Sequence, residues 1–150
     1  MPWVRVWIHL VWSTKNREPY LTAQIRQDVF QHIRDNARKK NIYIDLINGY
    51  VEHAHCLISL GTDQTIEKTV QLIKGESSFW INQNGLCKTE FGWQDEYFAV
   101  SVSESHLESV RRYIANQEEH HRTKGFADEF EGFMKRAGFK RFKGCIGLSS

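Results

Sequence analysis

The chain has 150 residues, a formal net charge of +2, 41% hydrophobic and 13% aromatic residues. That is ample for one domain with its own core, and no apolar run approaches the ~20 residues of a membrane span. Cys56, Cys87 and Cys145 are odd in number, far apart and without a CxxC pair. This argues against a disulfide framework or zinc knuckle and suits a reducing cytoplasm.

The first apolar stretch, Trp3 to Ser13, alternates and is rich in Val, Ile and Trp, which predicts a strand rather than a signal peptide. "KNREP" is a loop. Thr22 to Lys40 carries Ile25, Val29, Ile33 and Ala37 on one helix face, with Thr22 as N-cap. Ile42 to Ile47 and Val51 to Leu60 read as a hairpin turned at "NGY". Thr65 to Asn82 reads as a second helix, with Ile66, Val70, Ile73 and Phe79 inward and Asn84-Gly85 at its end. Glu96 to Val102 is a fourth strand. Ser103 to Thr123 reads as one long helix, with Ser105 and Glu108 at capping-box spacing and Gly125 closing it. A short amphipathic helix over Ala127 to Ala137 completes a single domain spanning 1–150. The order β-α-β-β-α-β predicts an α+β, ferredoxin-like or RRM-like fold. Its four-stranded antiparallel sheet carries two helices on one face and leaves the other for whatever follows the fourth strand.

His53 and His55, in "VEHAHCLISL", stand at i and i+2 of a strand and therefore share a face. The bland alternative is a pair of satisfied core histidines. A divalent metal is the sharper one, because it accommodates two neutral imidazoles side by side. On the long helix Tyr113 and Gln117 lie at i and i+4, and His121 continues the row. Tyr113 alone reads equally well as an interfacial aromatic with its hydroxyl in water. Taken together, two imidazoles, an amide oxygen and a tyrosine suit Mg²⁺ or Mn²⁺ and attack on a phosphodiester polarised by the metal.

"HAH" in a strand is also the His-hydrophobic-His pattern of HUH endonucleases. "RRYIANQEEHH" resembles the tyrosine helix of the small single-tyrosine HUH transposases of the insertion-sequence two-hundred type. "HLVWSTKNREPYL", "LIKGESSFWIN" and "FGWQDEYFAVSVSES" resemble further segments of that family, in the same order, over about residues 8 to 130. The resemblance implies an enzyme that cuts and rejoins single-stranded DNA at the hairpin-marked ends of a mobile element. Tyr113 would be the nucleophile, giving a 5′-phosphotyrosine, and His53, His55 and Gln117 would hold Mg²⁺ or Mn²⁺. It further implies a homodimer with a sheet joined across subunits and a composite active site. Two positions depart from the family pattern: Val51-Glu52 stands where Pro-Asp is usual, and Cys56 where Leu is usual.

DNA binding would fall to basic side chains: Lys15, Arg17, Lys74, Arg111, Arg112 and the tail "KRAGFKRFK". As solvated faces these runs would mean nothing. His120 and His121 read as phosphate contacts or charges at a helix C-terminus. Three other functions compete. One is a non-catalytic RRM-like RNA-binding module, which needs aromatics on the central strands. Another is a domesticated palindrome-processing nickase of the same family, and the last is a small metal hydrolase that uses water.

Overall fold

The computed structural model describes residues 2–122 and 124–138. Cys145 and the part of the basic tail from 139 onward lie outside them. Two compact units emerge, Met1–Gln117 and Glu118–Ser150. The first holds strands β1 (Trp7–Ser13), β2 (Tyr43–Gly49), β3 (His53–Ser59) and β4 (Phe98–Val102), with helices α1 (Ala23–Lys39), α2 (Ile66–Gln83) and α3 (Leu107–Ala115). Helix α4 (Gln117–His121) begins at its last residue, and α5 (Phe126–Arg136) lies in the second unit.

The sheet is antiparallel, in the order β2-β3-β1-β4, as the sequence predicts. Strand alternation then divides the chemistry between its faces. Ile8, Leu10 and Trp12 of β1 and Ala54, Cys56 and Ile58 of β3 pack with Val29, Phe30 and Ile33 of α1 and Val70, Ile73 and Ile81 of α2. Cys56 is thus a core residue on the face away from His53 and His55, and burial pushes its thiol pKa well above the ordinary range. The opposite face is lined by Leu57 and covered by Leu107 and Ile114 of α3, with Leu46, Val110 and Tyr113 against them.

Several expectations are corrected. β1 starts at Trp7 rather than Trp3, because its partner β3 ends at Ser59, opposite Trp7; Trp3, Val4 and Val6 are exposed. The hairpin does not turn at "NGY", since Asn48 and Gly49 are still paired with His55 and Ala54. The turn is Tyr50–Glu52, where the Val51 and Glu52 carbonyls accept from the backbone amides of Leu21 and Thr14 at 2.9 and 2.8 Å. β4 begins at Phe98 rather than Glu96. In α2 the inward stripe runs Val70, Ile73, Ser77, Ile81, which rotates Phe79 into solvent.

The long helix from Ser103 is broken. A 3-10 turn at Glu104–His106 leads into α3, and Asn116, at φ −100° and ψ 26°, separates α3 from α4. The break has a cause in β2: the Asn48 side-chain amide donates to the carbonyls of Ile114 and Ala115 at 3.0 and 3.2 Å. Those carbonyls would otherwise accept from the next helical turn. The capping box does not form, because no side chain caps α3 and Glu108 accepts instead from Arg111. Gly125 caps the start of α5 instead of closing the helix before it.

An irregularity in β2 between Ile44 and Leu46 aims two residues at α3. Asp45 accepts from the Arg111 guanidinium at 2.8 Å, and Leu46 joins the apolar contact. Gly49 has a different constraint. A Cβ there would lie 2.1 Å from the His53 carbonyl oxygen and 2.9 Å from the Ala54 Cα, both backbone. Gly49→Ala must therefore push the two strands apart next to His53. It should cost about 1–3 kcal/mol, measured as a lower urea midpoint; an unchanged midpoint would contradict this packing.

Candidate active site

β1 and β3 bring three imidazoles to one face, because His9, His53 and His55 share strand parity and the register pairs His9 with Leu57, Val11 with His55 and Ser13 with His53. His9 and His55 are therefore diagonal neighbours. Their Nε2 and Nδ1 atoms are hydrogen-bonded at 2.9 Å, with ring centroids 5.2 Å apart. His53 and His55 meet edge to face at 5.0 Å. Both have no solvent exposure, and His9 has 4%. Burial of this kind is tolerable only with partners, since each polar group left unpaired inside costs about 1–3 kcal/mol.

His53 has partners on both sides of its ring. Nδ1 lies 3.0 Å from the Glu52 carboxylate, and Nε2 lies 2.9 Å from the Gln117 amide oxygen. Glu52, one of the two departures from the family pattern, thus supplies a carboxylate directly behind His53. The Gln117 amide is fixed at its other end, where Nε2 donates to the Tyr113 carbonyl at 3.2 Å. This i+4 tie joins Gln117 to Tyr113 across the break at Asn116. The Tyr113 ring is half-buried and lies edge-on to His55 at 5.4 Å and to His9 at 6.4 Å.

This donor set fits a hard-to-borderline divalent cation. Two neutral imidazoles and one amide oxygen converge, and the 2.9 Å between His53 Nε2 and Gln117 Oε1 matches the ~3 Å between adjacent ligands of an octahedral ion with ~2.1 Å bonds. A tyrosine stands beside the donors.

The basic residues divide. Lys15, Arg17 and Arg112 are exposed. The Lys74 ammonium donates to the backbone carbonyls of Gln94 and Asp95, and burial lowers its pKa. Arg111 is tied to Asp45 and Glu108. In the second unit His120 and His121 sit 3.5 and 2.9 Å from the buried carboxylate of Glu129. With its side chain only 2% exposed, His121 is an internal partner of α5 rather than a solvated helix-end charge. Together with Glu129 the two histidines form a second group whose ligand atoms could hold a metal ion. Sequence reasoning missed His9, Glu52 and Asn48; for His9 the available signal was its place in the same strand face as the His-hydrophobic-His pair.

Comparison with known proteins decides the family. The family described as "Transposase IS200 like" matches residues 3–117. The chain belongs to the IS200-like transposase family. It is similar to the ISDra2 transposase TnpA of Deinococcus radiodurans, 25% identical over 114 residues that cover 73% of this chain and 81% of that protein. A crystal structure of a candidate transposase from Deinococcus radiodurans R1 shares the fold with a TM-score of 0.63 at 22% identity, covering 77% of this chain and 93% of that one. A REP-associated tyrosine transposase bound to a REP hairpin shares it with a TM-score of 0.61 at 16% identity, covering 100% and 93%. Among the described residues, no helix is long and apolar enough to cross a membrane.

One pH dependence follows from the site. Burial lowers the His9 pKa to about 4, whereas the unfolded imidazole titrates near ~6.5. The fold therefore suffers nothing from His9 above pH ~6.5 and loses stability as pH falls from there through about 4, because only the unfolded chain takes the proton. In metal-free protein, urea midpoints should show wild type losing about 3 kcal/mol more than His9→Gln over that window. Parallel curves would contradict it.

Proposed function

We propose that this transposase cuts and rejoins single-stranded DNA through a covalent bond to Tyr113, with His53, His55 and Gln117 holding Mg²⁺ or Mn²⁺. The observation that carries the reading is the Gln117 amide, which joins His53 on one side and the Tyr113 backbone on the other. Nucleophile and metal ligands are thereby one connected unit within one chain.

A divalent cation in that cradle supplies Lewis-acid stabilisation of the charge that develops on the scissile phosphate. The chain's own residues do the rest. Tyr113, with a hydroxyl pKa near ~10 in free tyrosine, is a weak nucleophile that gains from being held in place. Its oxygen attacks phosphorus in line and loses its proton. The bond from phosphorus to the 3′ oxygen breaks, and that oxygen takes up a proton as a free 3′-OH. The DNA is left as a 5′-phosphotyrosine. Attack by a 3′-OH on this linkage reverses the step and rejoins DNA with no external energy source.

The placement of the exposed cations supports Lys15, Arg17 and Arg112 as phosphate contacts. Lys74 and Arg111 serve in this reading as braces, one for the segment before β4 and one for α3. Hairpin DNA is the proposed ligand because the family resemblance implies it and a protein of the same fold is bound to one. A homodimer is part of the proposal, with β2 and β4 the edges of the sheet. Tyr113 lies beside its own chain's histidines, which supports a site made within one chain in this arrangement. An RRM-like RNA-binding role is disfavoured, since the covered face presents His9, His53, His55 and Leu57 on its central strands rather than a row of exposed aromatics.

The test is a covalent trap. Protein mixed with Mn²⁺ and single-stranded hairpin DNA should give a denaturation-resistant adduct, absent with EDTA and absent for the corresponding duplex. Tyr113→Phe should give none, and an adduct persisting in that variant would remove Tyr113 as nucleophile. His53→Ala should lose the adduct together with Mn²⁺ binding.

A further inference from the structure

The resemblance assigns roles to His53 and His55 but leaves His9 without one. A nitrogen-to-nitrogen hydrogen bond between two imidazoles carries a single proton, so one ring donates and the other accepts. If His9 donated from Nε2, His55 would accept at Nδ1 and its neutral ring would carry its own proton on Nε2. That nitrogen would then have no lone pair for a metal. If His55 donates from Nδ1, its lone pair stands on Nε2 and the ring is a ligand. His9 then holds its own proton on Nδ1 and is a neutral acceptor, in keeping with its burial.

The geometry points to His9 as a positioning residue: it accepts from Nδ1–H of His55 and so fixes the tautomer and ring plane that let His55 ligate through Nε2. This rests on the reading of His53, His55 and Gln117 as a metal cradle. Three features carry it: the 2.9 Å contact, the diagonal register that makes it, and the matching arrangement at His53. There the Glu52 carboxylate faces Nδ1 while Nε2 faces Gln117. Each ligand histidine thus has a partner behind it, one anionic and one neutral. Groups in this position orient metal ligands and set their basicity. A neutral imidazole behind His55 also avoids bringing a second anion into the site.

The choice of substitution isolates the role. The amide oxygen of Gln reaches about as far as the Nε2 of a histidine, whereas that of Asn reaches only as far as Nδ1. His9→Gln should preserve the bond and His9→Asn should lose it; His9→Phe fills the space with no acceptor. Long-range ¹H–¹⁵N spectra of the metal-free chain, labelled at histidine, read the tautomer directly. Wild type and His9→Gln should show His55 protonated at Nδ1; His9→Asn and His9→Phe should shift it toward Nε2. Mn²⁺ affinity by titration should fall roughly 10- to 100-fold in Asn and Phe and recover in Gln.

An Nε2-protonated His55 in wild type would overturn the proposal even if Mn²⁺ binds. So would equal Mn²⁺ affinity in all four proteins. Failure of wild type to bind Mn²⁺ would overturn the metal reading itself, while the spectra would still report separately on the contact between His9 and His55. Should His9→Phe fail to fold, the comparison of Gln with Asn decides.

Discussion

The 2.9 Å contact between His53 Nε2 and Gln117 Oε1 is the point on which the site depends, because it joins the sheet to the segment that carries the tyrosine. Everything around it serves to hold those two atoms in register. Gly49 lets β2 approach β3 closely enough to place the His53 backbone. Asn48 ends α3 by occupying its last carbonyls, so that Gln117 starts a new turn. Asp45, aimed by the irregularity in β2, holds the other end of the same helix through Arg111. Three residues of one edge strand thus set the position of a helix on the far face.

The arrangement is costly in the absence of a cation. Three imidazoles, an amide and the backbone that carries them are withdrawn from water on a face where an ordinary α+β domain would place aliphatic side chains. Their mutual hydrogen bonds offset the desolvation, but an apolar face of similar shape would be the more stable solution. Local destabilisation at a site that must bind an ion and a phosphate is the usual exchange of stability for function. The apolar patch of Leu57, Leu107 and Ile114 supplies the packing that keeps α3 seated beside this polar cluster.

Much of this was legible in the sequence because it rests on period. The strand period of two put His53 and His55 on one face. The helical i to i+4 spacing put Gln117 over Tyr113, and that contact survives the break at Asn116 because a single residue leaves the helical path. The element order gave the sheet and the identity of its uncovered face. What stayed hidden depends on partners far away in the chain. Asn48 reads as a turn residue until its register with His55 is known. Lys74 and Arg111 read as free cations until their acceptors are seen. His9 reads as a lone polar residue in an apolar strand, and only the β1–β3 register makes it the third imidazole. Phe79 was misread because an apolar residue need not lie on the apolar stripe.

The central claim is that His53, His55 and Gln117 form one metal cradle beside the Tyr113 of the same chain. Anomalous diffraction from crystals soaked in Mn²⁺ tests it most directly. The account predicts a peak bounded by Nε2 of His53, Nε2 of His55 and Oε1 of Gln117, with the His53–Gln117 hydrogen bond replaced by two bonds to the ion. No peak there, with that hydrogen bond intact in saturating Mn²⁺, would contradict it.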